Sequence, residues 1–160
     1  MEERLAWCLK IKTGIKLTLP SEEEFNSYFS AAKADLENLI KGKVLARWEP
    51  VVAYYSAYYS IYAFLRLLGI KSENHFCSIL CFRYILRLIN EDEKMVEVID
   101  RLKRKREEAQ YYLKTVKIDV NELKKFIDYL ENIKNKVILN REAIRKKIKE
   151  LIEIVNREET

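Results

Sequence analysis

Three features of the sequence predict an all-α protein, an up-and-down bundle of five to six helices within a single domain, residues 1–160. Only three glycines and two prolines punctuate the chain. Apolar residues recur at intervals of three and four over long segments, the period of an amphipathic helix. One segment, PVVAYYSAYYSIYAFLRLL, runs uncharged from Val51 to Leu65 and holds five of the ten tyrosines. A chain of this length buries a sizeable core without covalent staples.

That segment predicts a central helix from Pro50 to Leu68, because proline suits the first helical turn and Gly69 suits the left-handed residue that ends a helix. Ala53, Ser56, Ala57, Ser60 and Ala63 make a stripe of small side chains that lets another backbone come close. Tyr54, Tyr58, Ile61 and Leu65 fill one flank, and Tyr55, Tyr59 and Tyr62 the other. A helix of this kind is buried on most of its surface.

The other elements follow in order. A short helix over Glu2 to Lys10 leads to an extended segment at Ile15 to Leu19, an N-terminal extension covering residues 1–19. Ser21 and Glu24 form a capping box for an amphipathic helix that ends at Gly42. Lys43 to Glu49 is a connector in which Trp48 packs as a plug. After a tight turn at Ile70 and Lys71, Ser72 caps a helix from Glu73 to about Ile89, with His75, Ile79, Phe82, Leu86 and Ile89 along its inner side. Asn90 caps the next helix, aided by Glu91, Asp92 and Glu93 near its positive end. Asp119 and Glu122 open a helix from Val120 to about Lys136. Asn140 caps a last one from Arg141 to Glu158, with fraying at Glu158 to Thr160.

Composition narrows the function classes. The net charge of +5, with acids mixed among the bases, is weak grounds for a polyanionic partner. MEERLAW carries early acids and no apolar core, unlike a signal peptide, and the uncharged run is too short and tyrosine-rich for a membrane span of about 20 apolar residues. Cys8, Cys77 and Cys81 are odd in number and lack a CxxC, so neither a disulfide framework nor a zinc site is indicated. Cys77 and Cys81, four apart with His75 nearby, have the elements of a metal site, but buried free thiols are the preferred reading. No metal and no cofactor are expected, and a reducing, cytoplasmic location follows.

The informative irregularity is Arg106. The helix after Asn90 carries an apolar stripe of Ile99, Leu102, Arg106, Ala109 and Leu113, so an arginine stands at a core-facing position. A guanidinium cannot shed its charge, and burial demands carboxylate, carbonyl or hydroxyl partners. The tyrosine hydroxyls of the central helix, Asp35, Glu37 and Glu107 are the candidates. Arg101, Arg104 and Glu108 lie on an adjoining face, and Tyr111 and Tyr112 at the end. Lys103 and Lys105 read as solvated charges.

Two separated pieces resemble the HEPN superfamily of small helical proteins associated with nucleotides, RNA and toxin–antitoxin systems. AKADLENLIKGKVLARWEPVVAYYSAYYSIYAFLRLLGIKSENH is similar to the first long helix, Ala-Tyr-Tyr helix, glycine and histidine of that family, and KREEAQYY resembles its Arg-Glu-Glu-Ala-Asp-Tyr segment. The resemblance covers Ala31 to Leu113, within a family-like core of residues 20–113, and leaves residues 119–158 as C-terminal helices. Ribonuclease members of the family place a histidine four to six residues after an arginine, near a dimer interface. Here His75 is the only histidine and follows Arg66 by nine. Arg106 instead precedes Tyr111 by five, and an unperturbed phenol, with a pKa of about 10, is a poor base at neutral pH.

The resemblance therefore implies a non-catalytic binding module, a homodimer, for RNA or a nucleotide phosphate, for a nucleotidyltransferase-type partner protein, or for both, within a toxin–antitoxin system. Arg101, Arg104 and Arg106 would hold phosphate, and Tyr111 and Tyr112 would stack a base. Two alternatives stand beside it. One is a diverged metal-independent ribonuclease using Arg106, Tyr111 and His75. The other is a purely structural partner or antitoxin subunit, with Arg106 tied to internal acids.

Overall fold

A computed structural model describes residues 2–157, and side chains from Glu3 onward. Among these residues the chain forms α1 (Glu2–Lys10), β1 (Lys16–Leu17), α2 (Glu22–Ile40), α3 (Glu49–Leu67), β2 (Ile70–Lys71), α4 (His75–Leu88), α5 (Glu97–Tyr111), α6 (Val120–Leu139) and α7 (Arg141–Arg157), with a 3-10 turn at Glu93–Val96 before α5. It is an all-α helical bundle. The two short strands pair antiparallel, Lys16 opposite Lys71 and Leu17 opposite Ile70, where a plain turn was expected at Ile70 and Lys71. The predicted end of the last helix at Glu158 and the fraying beyond it lie outside the described residues.

α3 is the axis of the bundle and packs against α2, α4, α5 and α6. Ala53, Ser56, Ala57, Ser60 and Ala63 are all fully buried. Their small size brings α2 so close that Ser56 Oγ donates to the Ala32 carbonyl at 2.7 Å. The stripe is thus used inside the chain and supplies no surface for a homodimer. Phe64 sits beside it, sealed by Phe25, Phe29 and Phe82. Each such ring contributes about 1.5–3 kcal/mol by leaving water. The same hydrophobic core runs from Leu5 of α1 to Ile148 of α7.

Gly69 ends α3 at φ +71°, and a side chain there would bring Cβ within 2.5 Å of the Thr18 carbonyl oxygen and 2.6 Å of the Pro20 nitrogen. Arg145 of α7 closes the same corner, its Nη1 donating to the carbonyls of Thr18 at 2.9 Å and Leu68 at 2.8 Å. Carbonyls left over at a helix end are thereby satisfied by a cation, which also suits the negative end of the helix dipole.

Several local expectations change. Ser21 caps α2 by accepting from the Glu24 N–H at 3.1 Å, but the Glu24 carboxylate turns away to Arg66 Nε at 2.5 Å, so the box is half made. Trp48 is no plug: it stands exposed before α3 with Arg47 over its ring. Asn74, not Ser72, caps α4 by accepting from the Cys77 N–H. Asn90 takes a left-handed turn at φ +55°, and Asp92 caps the 3-10 turn that precedes α5. α6 runs on to Leu139 because Val137 is buried, which outweighs the break expected there.

The cysteines require the largest correction. Cys8 of α1 and Cys77 of α4 form a disulfide, with Cα atoms 5.5 Å apart and a sequence separation of 69. An odd count and a missing CxxC say nothing about two helices that meet only in the folded chain. With Cys77 bonded, a metal site on Cys77, Cys81 and His75 is excluded, and the free-thiol argument for a reducing cytoplasm loses its premise. Cys81 is the free, buried thiol, its pKa pushed up to about 12 by desolvation. Among the described residues, no helix is long and apolar enough to cross a membrane.

Candidate functional site

The N-terminal half of α3 turns Tyr54 and Tyr58 away from α2, toward α4 and α5. There the first turn of α4 and the middle of α5 leave a cleft of about 680 Å³, closed on a third side by α1. Tyr54 forms its floor, with His75 and Phe76 from α4, Lys103 and Arg106 from α5, and Arg4 from α1 around it.

His75 is held on two sides. Its ring stacks on Tyr58 with centroids 3.8 Å apart and planes 17° from parallel. Its Nδ1 shares a 3.0 Å hydrogen bond with Tyr54 Oη. Tyr58 in turn donates to Ser78 Oγ at 3.1 Å, and Ser78 Oγ donates to the Asn74 carbonyl at 3.1 Å. The capped first turn of α4 is thus tied to α3, which fixes the imidazole over the tyrosines. Burial, then the Arg106 and Lys103 cations, hold the His75 pKa below 6.5, so the ring is neutral at pH 7. Burial pushes the Tyr54 phenol up to about 12 despite the opposing pull of Arg106, and it keeps its proton. When the imidazole carries its hydrogen on Nε2, Tyr54 O–H donates to Nδ1.

Arg106 leans its guanidinium carbon over the Tyr54 ring, 4.3 Å from the centroid, and lies 5.9 Å from that of Tyr55. The core-facing position in the α5 stripe is therefore real, and aromatic faces occupy the place expected for hydroxyl or carboxylate partners. Nε is buried and has no hydrogen-bond acceptor, and among the described residues no carboxylate pairs with this cation. An orphaned buried donor costs about 1–3 kcal/mol, while a cation over an aromatic face returns about 0.5–2 kcal/mol. The side chain holds its place without being satisfied. Among the described residues it is tied to no acid, whereas the purely structural reading expected such a tie.

The other cations of the wall differ. Arg83 is neutralised by Asp100 across the α4–α5 seam. Lys103 is exposed and has no ion pair among the described residues. The cleft thus gathers four cations against a single carboxylate, around a floor of rings.

The remaining predicted site residues lie elsewhere. Arg101 donates from Nε to Glu122 of α6 at 3.0 Å and is bonded to the same carboxylate through Nη2, an interhelical tie. Arg104 is exposed and lines a shallower depression beside the cleft, with Arg101 and Glu107. Tyr111 and Tyr112, 66% and 71% exposed, end α5 and line neither hollow. Five residues on a helix turn through about 500°, so Tyr111 points about 140° away from Arg106. The structure brings Arg106 and His75 together, and does not bring Tyr111 or Tyr112 to them.

Sequence reasoning passed over Arg4, Phe76 and the cleft side of Lys103. Lys103 stands three before Arg106, one turn away on the same flank, and that spacing was the available signal. Arg4 and Phe76 offered none, because they reach the cleft only through the packing of α1 on α4. Compared with known proteins, the chain matches no family model, no curated protein and no solved structure.

Proposed function

We propose that this protein is a non-catalytic binding module for RNA or a nucleotide phosphate, HEPN-like in kind, and that the cleft around Arg106 is where the phosphate binds. One observation carries the reading: a permanently charged guanidinium stands in an apolar stripe, lines an open cleft and, among the described residues, finds no acceptor for its buried Nε. A phosphate supplies what the site lacks, since its oxygens accept from a planar fork in pairs. Lys103 and Arg4 add charge at the rim, and Tyr54 presets the guanidinium from below. Arg101 is spent on Glu122, and Arg104 contributes only general attraction.

Fluorescence polarisation with a short single-stranded RNA tests this at fixed salt. Arg106→Ala weakens binding at least tenfold, the equivalent of about 1.4 kcal/mol. Arg104→Ala, at the exposed depression, weakens it about twofold. Equal losses would reduce the attraction to diffuse charge and overturn the assignment.

A second reading, the diverged metal-independent ribonuclease, draws support from a specific observation: His75 and Arg106 line the same cleft, and the imidazole is kept neutral, as a general base must be. Tyr111 has no part in it. It requires RNA cleavage in EDTA that His75→Ala abolishes. Cleavage unaffected by His75→Ala ends this reading and leaves the binding module.

A further inference from the structure

We infer that Trp7 and Phe76 form the base-stacking platform of the Arg106 cleft, so that the ligand is a nucleoside phosphate read at both ends, ring on aromatic and phosphate on arginine. The inference rests on the phosphate reading above and goes further by naming where the base lies. Two large aromatic side chains are left in water side by side, Trp7 at 49% exposure and Phe76 at 43%. They meet edge to face, with centroids 6.3 Å apart. Phe76 lines the cleft next to His75, and Arg4, three residues before Trp7 on α1, lines it too.

This pair takes over the role expected of Tyr111 and Tyr112. A base needs a flat face within reach of the cation that holds its phosphate, and Phe76 shares the cleft with Arg106 whereas the two tyrosines do not. The platform is also braced. Cys8 and Cys77, the residues next in sequence to Trp7 and Phe76, are the two halves of the disulfide. The covalent bond lies buried behind the exposed rings and holds α1 against the first turn of α4. Besides it, the α1 side is tied to the start of α4 by side-chain packing and by the Glu73 N–H donating to the Thr13 carbonyl at 2.9 Å, before α4 begins. A braced ring loses little freedom when a base settles on it, so the bond serves affinity as well as stability.

Calorimetric titrations with AMP, a four-nucleotide oligoadenylate and inorganic phosphate test the assignment on the intact, oxidised chain. AMP or the oligoadenylate binds at least tenfold more tightly than inorganic phosphate, and Phe76→Ala removes most of that preference, since base–aromatic stacking commonly contributes a factor of this size. A Trp48→Phe background leaves Trp7 as the one tryptophan, and its fluorescence is quenched on addition of the nucleotide. The Cys8→Ser/Cys77→Ser variant lowers the nucleotide preference by several-fold. Preference for AMP equal to that for the oligoadenylate marks a mononucleotide site, and preference for the oligoadenylate alone marks RNA; either supports the platform when Phe76→Ala abolishes it. A nucleotide preference that Phe76→Ala leaves intact, with phosphate binding still dependent on Arg106, overturns the platform and spares the phosphate site. No binding by any of the three probes overturns both.

Discussion

Arg66, near the C-terminal end of α3, and Arg106, leaning on the N-terminal half of the same helix, are both arginines set among apolar side chains. Their surroundings differ in kind. Arg66 is 9% exposed and donates to Glu24 at 2.5 Å, to Thr18 Oγ1 at 2.9 Å and to the Ile70 carbonyl at 3.1 Å. With Arg145 it knots α2, α3, α7 and the β1–β2 ribbon into one corner. Arg106 has an aromatic cushion, a buried Nε without an acceptor, and an open cleft beside it. A cation among apolar neighbours is thus not evidence of function by itself. What separates the two is whether its donors are already answered from within the chain. The Arg66 end is held by a knot of charged hydrogen bonds, and the Arg106 end carries in addition the Cys8–Cys77 bond between α1 and α4.

The largest effect is expected at that covalent fastening. Cys8→Ser/Cys77→Ser opens a loop of 69 residues' separation and costs about 4 kcal/mol by loop-closure entropy, read as a lower denaturant midpoint. A loss under about 1 kcal/mol would show that the non-covalent contacts suffice to fasten α1 to α4. Next comes Arg66→Met, which keeps the volume but strands Thr18 and the Ile70 carbonyl. It costs about 2–3 kcal/mol, tempered because the Glu24 side chain is 47% exposed and regains water. Arg106→Ala, by contrast, changes stability by no more than about 1 kcal/mol, because the lost aromatic contact is offset by removal of an unsatisfied donor. A cost equal to that of Arg66→Met would erase the distinction between the two ends.

The smallest effect is one of pH. The folded-state pKa of His75 lies below the ordinary 6.5, so on acidification the unfolded chain takes up this proton first. Stability therefore declines as the pH falls through about 6.5, and the loss is complete once the pH passes below the folded-state value. His75→Gln removes that component, so its urea midpoint falls less between about pH 7.5 and pH 5.5 than the wild-type midpoint does. Parallel declines would mean that other groups carry the acid sensitivity.

Much of the frame was legible in the sequence because it is written locally. Pro50 and Gly69 bracket α3, Ser21 and Asp119 cap their helices, and the small stripe marks the face that α2 approaches. Arg106 was legible too, as a misfit in the α5 periodicity. What escaped was what depends on distant partners. Arg66 drew notice only for its spacing from His75, and its role shows once Glu24 and Thr18 converge on it. Cys8 and Cys77 carry no spacing signal, since they meet only when α1 lies on α4. Tyr111 and Tyr112 attracted attention by proximity in sequence, which helical rotation undoes. His75 was placed correctly in the first turn of α4, but its stack on Tyr58 and bond to Tyr54 needed the three helices assembled.

Binding at this cleft requires Arg106 to be open to a ligand. Thermal unfolding of the wild type and of Arg106→Ala, each with and without a saturating concentration of AMP, tests this most directly, because a ligand that binds only the folded state raises the midpoint. The expected result is a midpoint several degrees higher with AMP in the wild type, no such rise in Arg106→Ala, and nearly equal midpoints for the two proteins without ligand. An equal rise in both, or an Arg106→Ala protein already much less stable without ligand, would contradict it.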